Sequence, residues 1–441
     1  MKRLFGMLLV IAAVLGGLVG LFAVFYLAAG WAAGLFAGWG LPAFYGSAIV
    51  NTLTLMLVVV MVTASLLTVA ERKWSAAMQD RIGANRILVF GSALGGVPYL
   101  LADALKMLTK EATYPAARSW ILFEMAPVQA FASTFMLFAV VPVGPDIEVL
   151  GQKVALMVAN PDVGLLWIFA LASLAVYGTT LAGWASNNRA AMLGGVRGAS
   201  QMISYEVSLG LALVGVMIAY RTLNLQEMTI AQGASVLGPM PAIGLLLQPI
   251  GFLVFFASAF AETKRAPFDL PEGESEIVGY FMEYSGMKFG MLFLAEFVEV
   301  VVLSGVVVAV FLGGWHPILF EGWLRTHLHP LAFGAVGATA FMAKVVVLCW
   351  LQLTIRWLLP RFRFDQIQGL CWKLLLPTAL LNIFVTGAAV LLDPSLKLLA
   401  WIGVAEIVAI FGVTTAVSRA PAQASGHGGH GHGHPAHAAG H

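Results

Sequence analysis

At the centre of the sequence lies the stretch Glu262-Thr-Lys-Arg-Ala-Pro-Phe-Asp-Leu-Pro-Glu-Gly-Glu-Ser-Glu276, between apolar runs at residues 241–261 and 287–312. Each run reaches the roughly 20 apolar residues that a helix needs to cross a bilayer. Backbone groups in lipid must find their hydrogen bonds within the chain, so runs of this length form helices. The sequence lacks the alternation that is typical of barrel strands. The stretch therefore predicts an acidic, proline-broken loop between two membrane helices.

The composition extends this prediction to the whole chain. Of the 441 residues, 60% are hydrophobic and 10% are charged, whereas a soluble domain carries about 25% charged residues. A net charge of +2 gives no indication of a nucleic-acid partner. Cys349 and Cys371 form no disulfide or metal pattern, so we expect no metal site. The sequence predicts an all-α polytopic membrane protein.

Apolar runs of membrane-spanning length recur along the chain, and we predict about ten transmembrane helices. They lie near residues 7–35, 48–70, 124–143, 164–184, 202–221, 241–261, 287–312, 332–354, 372–392 and 397–417. The first run is too long for the core of a cleaved signal peptide, so we interpret it as a retained helix.

The distribution of Lys and Arg predicts the orientation of these helices. If both termini are cytoplasmic, the four large inside loops hold fifteen Lys and Arg and the outside loops hold two. This asymmetry fits the positive-inside rule. The sequence therefore favours ten spans with cytoplasmic N and C termini.

Residues 93–111 form a segment that is too polar to span the membrane. Leu101, Leu105 and Leu108 recur at helical spacing among charged residues. This pattern predicts an amphipathic helix at the cytoplasmic interface, although a simple surface brace would show the same pattern.

The last 24 residues, 418–441, consist largely of Gly, Ala and Pro, with six histidines. Such a composition is typical of a disordered tail. Its imidazoles could bind Zn or Ni loosely, and the alternative is a solvated tail with no required role.

Carboxylates cluster in and beside the membrane around the acidic loop. The candidates for a proton path are Glu206, Glu262, Glu272, Glu274, Glu276, Glu283 and Glu296. Glu296 and Glu299 are three residues apart and so share a helix face. Carboxylates packed in a low dielectric cannot all ionise, and such a set can hold and pass protons. A merely solvated acidic loop would not require Glu206 and Glu296 inside apolar runs.

Further motifs occur in order between residues 48 and 392. They are Ala70-Glu-Arg-Lys73, Arg81-Ile-Gly-Ala-Asn-Arg86, Leu101-Ala-Asp-Ala-Leu-Lys106, Gly183-Trp-Ala-Ser-Asn-Asn188, Gln201-Met-Ile-Ser-Tyr-Glu206, Glu283-Tyr-Ser-Gly-Met-Lys-Phe289, Phe311-Leu-Gly-Gly-Trp315 and Trp372-Lys-Leu-Leu-Leu-Pro377. Together with the acidic loop, the set resembles the quinone-site membrane subunit (the H subunit) of respiratory complex I, NADH:quinone oxidoreductase. By this resemblance, residues 48–392 form an eight-helix core, residues 1–47 and 393–417 each add a helix, and residues 418–441 form the tail.

The resemblance implies a translocase subunit of the inner (cytoplasmic) cell membrane that forms much of the quinone cavity. The implied quinone-binding residues are Glu71, Arg72, Asp103, Lys106 and Asp269. Arg361, Arg363 and Asp365 would lie at the interface with the peripheral arm. Quinone would be the substrate, and flavin, iron–sulfur clusters and metals would be bound by partner subunits. The implied partners are the quinone-site subunits of the peripheral arm and the antiporter-like membrane subunits.

Three other functions compete with this interpretation. The homologous membrane subunit of an energy-converting hydrogenase binds no quinone, and the long match around the acidic loop argues against it. A solute carrier often has two related halves, but the sequence holds no second copy of the acidic loop. A purely structural anchor would leave Glu206 and Glu296 unexplained.

Overall fold

The structure is a computed structural model that describes residues 2–87, 96–237, 240–273, 276–317 and 321–419. The helices are α1 (Lys2–Gly38), α2 (Ala43–Asn51), α3 (Met61–Met78), α4 (Pro98–Thr109), α5 (Trp120–Leu137), α6 (Gly164–Ala185), α7 (Arg189–Tyr220), α8 (Leu225–Gln232), α9 (Gly244–Leu247), α10 (Pro249–Glu262), α11 (Gly286–Phe311), α12 (Glu321–His327), α13 (Pro330–Leu358), α14 (Phe364–Leu370), α15 (Leu376–Leu392) and α16 (Lys397–Arg419). A π-helical segment, Thr52–Val60, joins α2 to α3, and another, Cys371–Leu375, joins α14 to α15. The predicted all-α class is confirmed.

The strands of the described part of the chain form two small antiparallel hairpins. One pairs β1 (Ile147–Val149) with β2 (Gln152–Val154), and the other pairs β3 (Ser235–Leu237) with β4 (Met240–Pro241). Both hairpins lie in connections between helices, so they do not alter the helical architecture.

Nine helical segments within the described residues are long and apolar enough to cross a membrane. They are Ala12–Gly38, Ala43–Met78, Trp120–Val140, Gly164–Ala185, Arg189–Tyr220, Gly286–Phe311, Pro330–Leu358, Phe364–Leu392 and Lys397–Ala416. Each overlaps one of the predicted spans, and the chain is a multi-pass membrane protein.

The sixth predicted span, residues 241–261, differs from the others because it is interrupted. The four-residue helix α9 ends at Leu247, and α10 begins only at Pro249. Gln248 between them has φ −144° and ψ 68°, because the proline ring disfavours a helical conformation in the residue before it. At about 1.5 Å per residue, α10 alone is shorter than the roughly 30 Å hydrocarbon core.

The helix α11 lies at the centre of the bundle. Every residue from Ala295 to Phe311 is buried, and the helix packs against α3, α4, α5 and α13. Its neighbours therefore surround Glu296 and Glu299 with protein rather than lipid. This position allows two carboxylates on one membrane helix, since charged groups at that depth need protein partners.

The first and last helices pack on the outside of the bundle. In α1, the buried Tyr26 hydroxyl donates a hydrogen bond of 2.9 Å to the carbonyl of Pro145. In α16, Gly403 lies so close to α9 that an added Cβ would come within 1.9 Å of the Leu246 carbonyl oxygen. Both terminal helices are therefore fitted to the bundle through specific contacts.

Candidate functional site

The loop between α10 and α11 packs into the helix bundle. Its first residues, Lys264 and Arg265, are buried, and so is Phe268. The Gln201 side-chain amide of α7 donates hydrogen bonds to the carbonyls of Ala261 (2.6 Å) and Phe268 (2.8 Å). Buried carbonyls require such partners, so Gln201 fastens the start of the loop to α7.

The residue that follows the C-cap of α10 is a buried lysine. Lys264 follows the C-cap residue Thr263 and has a left-handed φ of +56°, a conformation for which helix ends usually use glycine. Its ammonium nitrogen lies 3.0 Å from the Glu299 carboxylate, and the two side chains are only 4% and 6% exposed. Burial lowers the pKa of Lys264, but the carboxylates of Glu299 and Glu296 raise it, so the net shift is upward.

Two arginines from different elements meet at Glu71 of α3. Arg265 of the loop and Arg356 near the end of α13 both form ion pairs with its carboxylate. The Arg265 guanidinium also stacks over the ring of Phe297, 3.9 Å from the ring centre. Asp269 lies within electrostatic range of the same guanidinium. The structure thus brings two of the predicted quinone-binding residues, Glu71 and Asp269, together around Arg265.

The amphipathic helix α4 is joined to α3 by an ion pair. The Arg72 guanidinium lies 2.6 Å from the Asp103 carboxylate, and both side chains are partly exposed. None of the residues of α4 is buried, as expected for a helix that does not enter the bundle.

Lys106 lies on α4 beside a separate small cavity. The cavity has a volume of about 230 Å³ and is lined by Lys106, Met107, Lys110, Tyr284, Ser285, Gly286 and Phe289. Of the five predicted quinone-binding residues, Lys106 is therefore the one that faces the start of α11.

Glu272 of the loop lies within electrostatic range of Glu296 in α11. Burial, followed by the charge of Glu296, raises the pKa of Glu272 well above its usual range. The Tyr280 hydroxyl donates a hydrogen bond of 2.9 Å to Glu296. The loop and α11 therefore bring two carboxyl groups together, and the group on the loop favours its protonated form.

Two more predicted path residues lie deeper in the bundle. Glu262, at the end of α10, is buried and lies within electrostatic range of Glu299 and Glu206. One of its carboxylate oxygens has no hydrogen-bond partner within the described residues. Glu206 of α7 accepts a hydrogen bond from Ser173 of α6. The carboxylate series thus continues from the loop to α7.

Two further predicted path residues, Glu276 and Glu283, lie at the edge of this series. Glu276 is exposed and forms an ion pair of 2.8 Å with Arg197, and this hydrogen bond lowers the Glu276 pKa. Glu283 accepts a hydrogen bond of 2.7 Å from Asn188, the N-cap residue of α7. Glu274 lies outside the described residues.

The three residues predicted to meet a peripheral arm lie between α13 and α14. Arg361 turns inward and donates a 2.8 Å hydrogen bond to the carbonyl of Asp269. Arg363 and Asp365 form an ion pair of 2.9 Å, with their side chains 80% and 75% exposed. This pair is therefore the more exposed part of the segment, whereas Arg361 supports the loop.

Comparison with known proteins identifies the family. The profile of the NADH dehydrogenase family matches residues 50–387. The chain belongs to this family. The NADH-quinone oxidoreductase H subunit 2 of Syntrophobacter fumaroxidans is 44% identical over 344 residues, which cover 78% of this chain and 96% of that protein. The corresponding H subunit 2 of Geobacter sulfurreducens is 42% identical over 336 residues (76% and 94%), and the H subunit 1 of Cytophaga hutchinsonii is 38% identical over 340 residues (77% and 95%).

Membership of the NADH dehydrogenase family confirms the resemblance inferred from the motifs. The relatives support a membrane subunit of complex I, which is part of an oxidoreductase, and they do not favour the hydrogenase alternative. The helices α1 and α16 lie outside the residues that match the family. They are features of this chain beyond the shared region.

The structure adds residues to the site that were not among the predicted site residues. Arg356 forms an ion pair with Glu71, and Tyr280 donates a hydrogen bond to Glu296. Lys264 forms an ion pair with Glu299. Lys264 and Glu299 carried a sequence signal, because both are charges in or next to a membrane helix. The ion pair between Arg356 and Glu71 joins residues that lie far apart in the chain, so no local sequence pattern predicts it. No group of three His, Cys, Asp or Glu among the described residues could hold a metal ion.

Proposed function

We propose that this chain is the subunit of an NADH-quinone oxidoreductase that binds quinone and couples its reduction to charge movement through buried carboxylates. The observation that carries the proposal is the unbroken electrostatic series from Asp269 through Glu272, Glu296, Glu299 and Glu262 to Glu206. Burying such a series inside a membrane protein costs free energy, so its presence indicates a function.

The quinone would bind near the loop end of α3, where Glu71, Arg72, Asp103 and Asp269 lie, with Lys106 at the neighbouring cavity. Reduction of a quinone to a quinol takes up two electrons and two protons. Electrons would come from partner subunits. The ionic groups around Arg265 would orient the carbonyl oxygens of the quinone, because guanidinium and ammonium groups donate to such acceptors.

Proton uptake by the reduced quinone would start the charge movement. The raised pKa of Glu272 favours a proton on this carboxyl group, beside the carboxylate of Glu296. Loss of that proton would leave two negative charges close together, and a coupled set responds by drawing a proton from the next member. The missing proton would be replaced in turn from Glu299, Glu262 and Glu206 within the membrane. Glu276 and Glu283 would act at the edge of the series.

The proposed setting is the inner cell membrane, with both termini in the cytoplasm. Residues 48–392 would form the core, and residues 1–47 and 393–417 would add one helix each. The proposed partners are the quinone-site subunits of a peripheral arm, which would contact Arg363 and Asp365, and antiporter-like membrane subunits. Flavin, iron–sulfur clusters and metals would belong to those partners.

Purification of the native complex through this chain tests the proposal. We expect flavin- and iron–sulfur-containing subunits to copurify, together with a bound quinone that extraction and mass spectrometry identify. The purified complex should transfer electrons from NADH to quinone. Copurification with a nickel hydrogenase subunit and no NADH-dependent quinone reduction would contradict it.

A further inference from the structure

The ion pair between Lys264 and Glu299 lies at one point in the carboxylate series. Glu299 lies within electrostatic range of Glu262 on one side and of Glu296 on the other. Lys264 interacts with the same two carboxylates. The pair therefore interacts with the members of the series on both sides of it.

The backbone at Lys264 indicates that its side chain has a specific role. A left-handed φ is unfavourable for an L-residue, and glycine at the same position would avoid that cost. The chain instead places there a long cationic side chain that is buried together with its partner. A buried ion pair is also weak as a stabilising device, because desolvation offsets the attraction. Neither the end of the helix nor stability alone explains a lysine at this position.

We propose that the Lys264–Glu299 ion pair is a gate in the carboxylate path, with Lys264 acting as a positioning residue. This inference rests on the proposed function. While the ion pair is formed, the Lys264 ammonium stabilises Glu299 as a carboxylate, which can accept a proton. A proton is transferred when the O–H bond of a neighbouring carboxylic acid, at Glu296 or Glu262, breaks and an O–H bond to Glu299 forms.

Lys264 keeps its three protons during this step. The donor becomes a carboxylate as Glu299 becomes neutral, so the total charge of the group is unchanged. The ammonium then pairs with the newly formed carboxylate, and this shift prevents immediate return of the proton. Its four-carbon stem is flexible enough for such a change of partner. The gate thus opposes the return of a proton that has passed to Glu299.

Substitutions that remove the pair test the gate in the assembled complex within inverted membrane vesicles. Lys264→Met and Glu299→Gln each leave one buried group unpaired, and some loss of assembly is expected. The double variant Lys264→Met/Glu299→Gln removes both charges and is expected to assemble. We expect its rate of proton pumping to fall about 100-fold, the scale contributed by a positioned proton-transfer group. Lys264→Arg retains the charge and should recover most of the pumping.

A double variant that assembles and pumps at the wild-type rate would overturn the gate, since the pair would then be structural. If the double variant does not assemble, Glu299→Asp decides the question, because it keeps the charge and shortens the reach by one methylene. Lowered pumping in assembled Glu299→Asp supports the gate, and unchanged pumping overturns it. Glu206→Gln serves as the reference. If Glu206→Gln stops pumping but the gate variants do not, the carboxylate path stands and the gate alone fails.

Discussion

The hydroxyl of Tyr280 donates a hydrogen bond of 2.9 Å to the carboxylate of Glu296, and it thereby fixes the loop before α11 to a carboxylate inside that helix. Both residues are buried. The position of the Glu296 carboxylate, which neighbours Glu272 in the series, therefore depends on a residue that lies 16 positions earlier in the chain.

Tyr280→Phe should lower both stability and coupled activity. Loss of a hydrogen bond to a buried carboxyl group costs about 1–3 kcal/mol. The thermal unfolding midpoint of the purified complex and proton pumping in vesicles measure the two effects. Tyr220→Phe is the matched control, because its hydroxyl donates a hydrogen bond of 2.6 Å to the Ala242 carbonyl, outside the carboxylate series. Equal pumping in the two variants would contradict a role for Tyr280 in the path.

Glu272→Gln should change how stability depends on pH. The raised pKa of Glu272 means that the folded protein favours its protonated form. Its contribution to stability is therefore complete below the ordinary Glu pKa of about 4.3 and is lost as the pH rises through the raised value. Glutamine mimics the protonated form, so the variant should lose less stability over that window. Unfolding midpoints measured across the pH range test this difference.

Glu276→Gln provides the control of opposite sign for that experiment. The hydrogen bond from Arg197 lowers the pKa of Glu276, so its contribution is present above the ordinary Glu pKa and is lost as the pH falls. The side chain is exposed, and the effect should be small because solvent screens such pairs. Identical pH profiles for the two variants would show that Glu272 has no special environment.

Reversing the ion pair between Arg72 and Asp103 should affect quinone binding more than stability. The pair is partly exposed, so its loss should cost only about 0–1 kcal/mol. We expect Arg72→Asp to raise the KM for quinone, and Arg72→Asp/Asp103→Arg to restore part of the affinity by rejoining α3 to α4. The exposed cross-strand pair Glu148 and Lys153 in the β1–β2 hairpin is the control, since its reversal should leave the quinone KM unchanged. The same KM shift at both pairs would point to a general charge effect.

Deletion of residues 418–441 should leave quinone reductase activity intact. The deletion removes the His-rich segment and the last two residues of α16. Truncation after Leu396 is the contrasting variant, because it also removes Gly403 and its close contact with Leu246. We expect a lower unfolding midpoint only for the longer truncation. Loss of activity in an assembled complex with the shorter deletion would assign the tail a role.

The sequence predicted the helices well because hydrophobic runs of membrane-spanning length are a local signal. It also predicted that Glu296 and Glu299 share a face, since three residues make almost one helical turn. The break at Gln248 was missed, although Pro249 was visible, because hydropathy continues unchanged across residues 241–261.

The partners within the site could not be predicted in the same way. Glu71 meets Arg265 and Arg356 only after three distant segments have packed together. The inward turn of Arg361 toward Asp269 also depends on packing, since the same sequence pattern would suit an exposed arginine. Local sequence shows which charges lie near a membrane, and tertiary packing decides which of them pair.

Proton pumping by Glu206→Gln in inverted membrane vesicles is the most direct test of the carboxylate path. Glu227→Gln is the matched control, because it is the same chemical change at an exposed residue of α8. We expect both variants to assemble, the control to pump normally, and Glu206→Gln to lose proton-coupled quinone reduction. Wild-type pumping by an assembled Glu206→Gln complex would contradict a path through this residue.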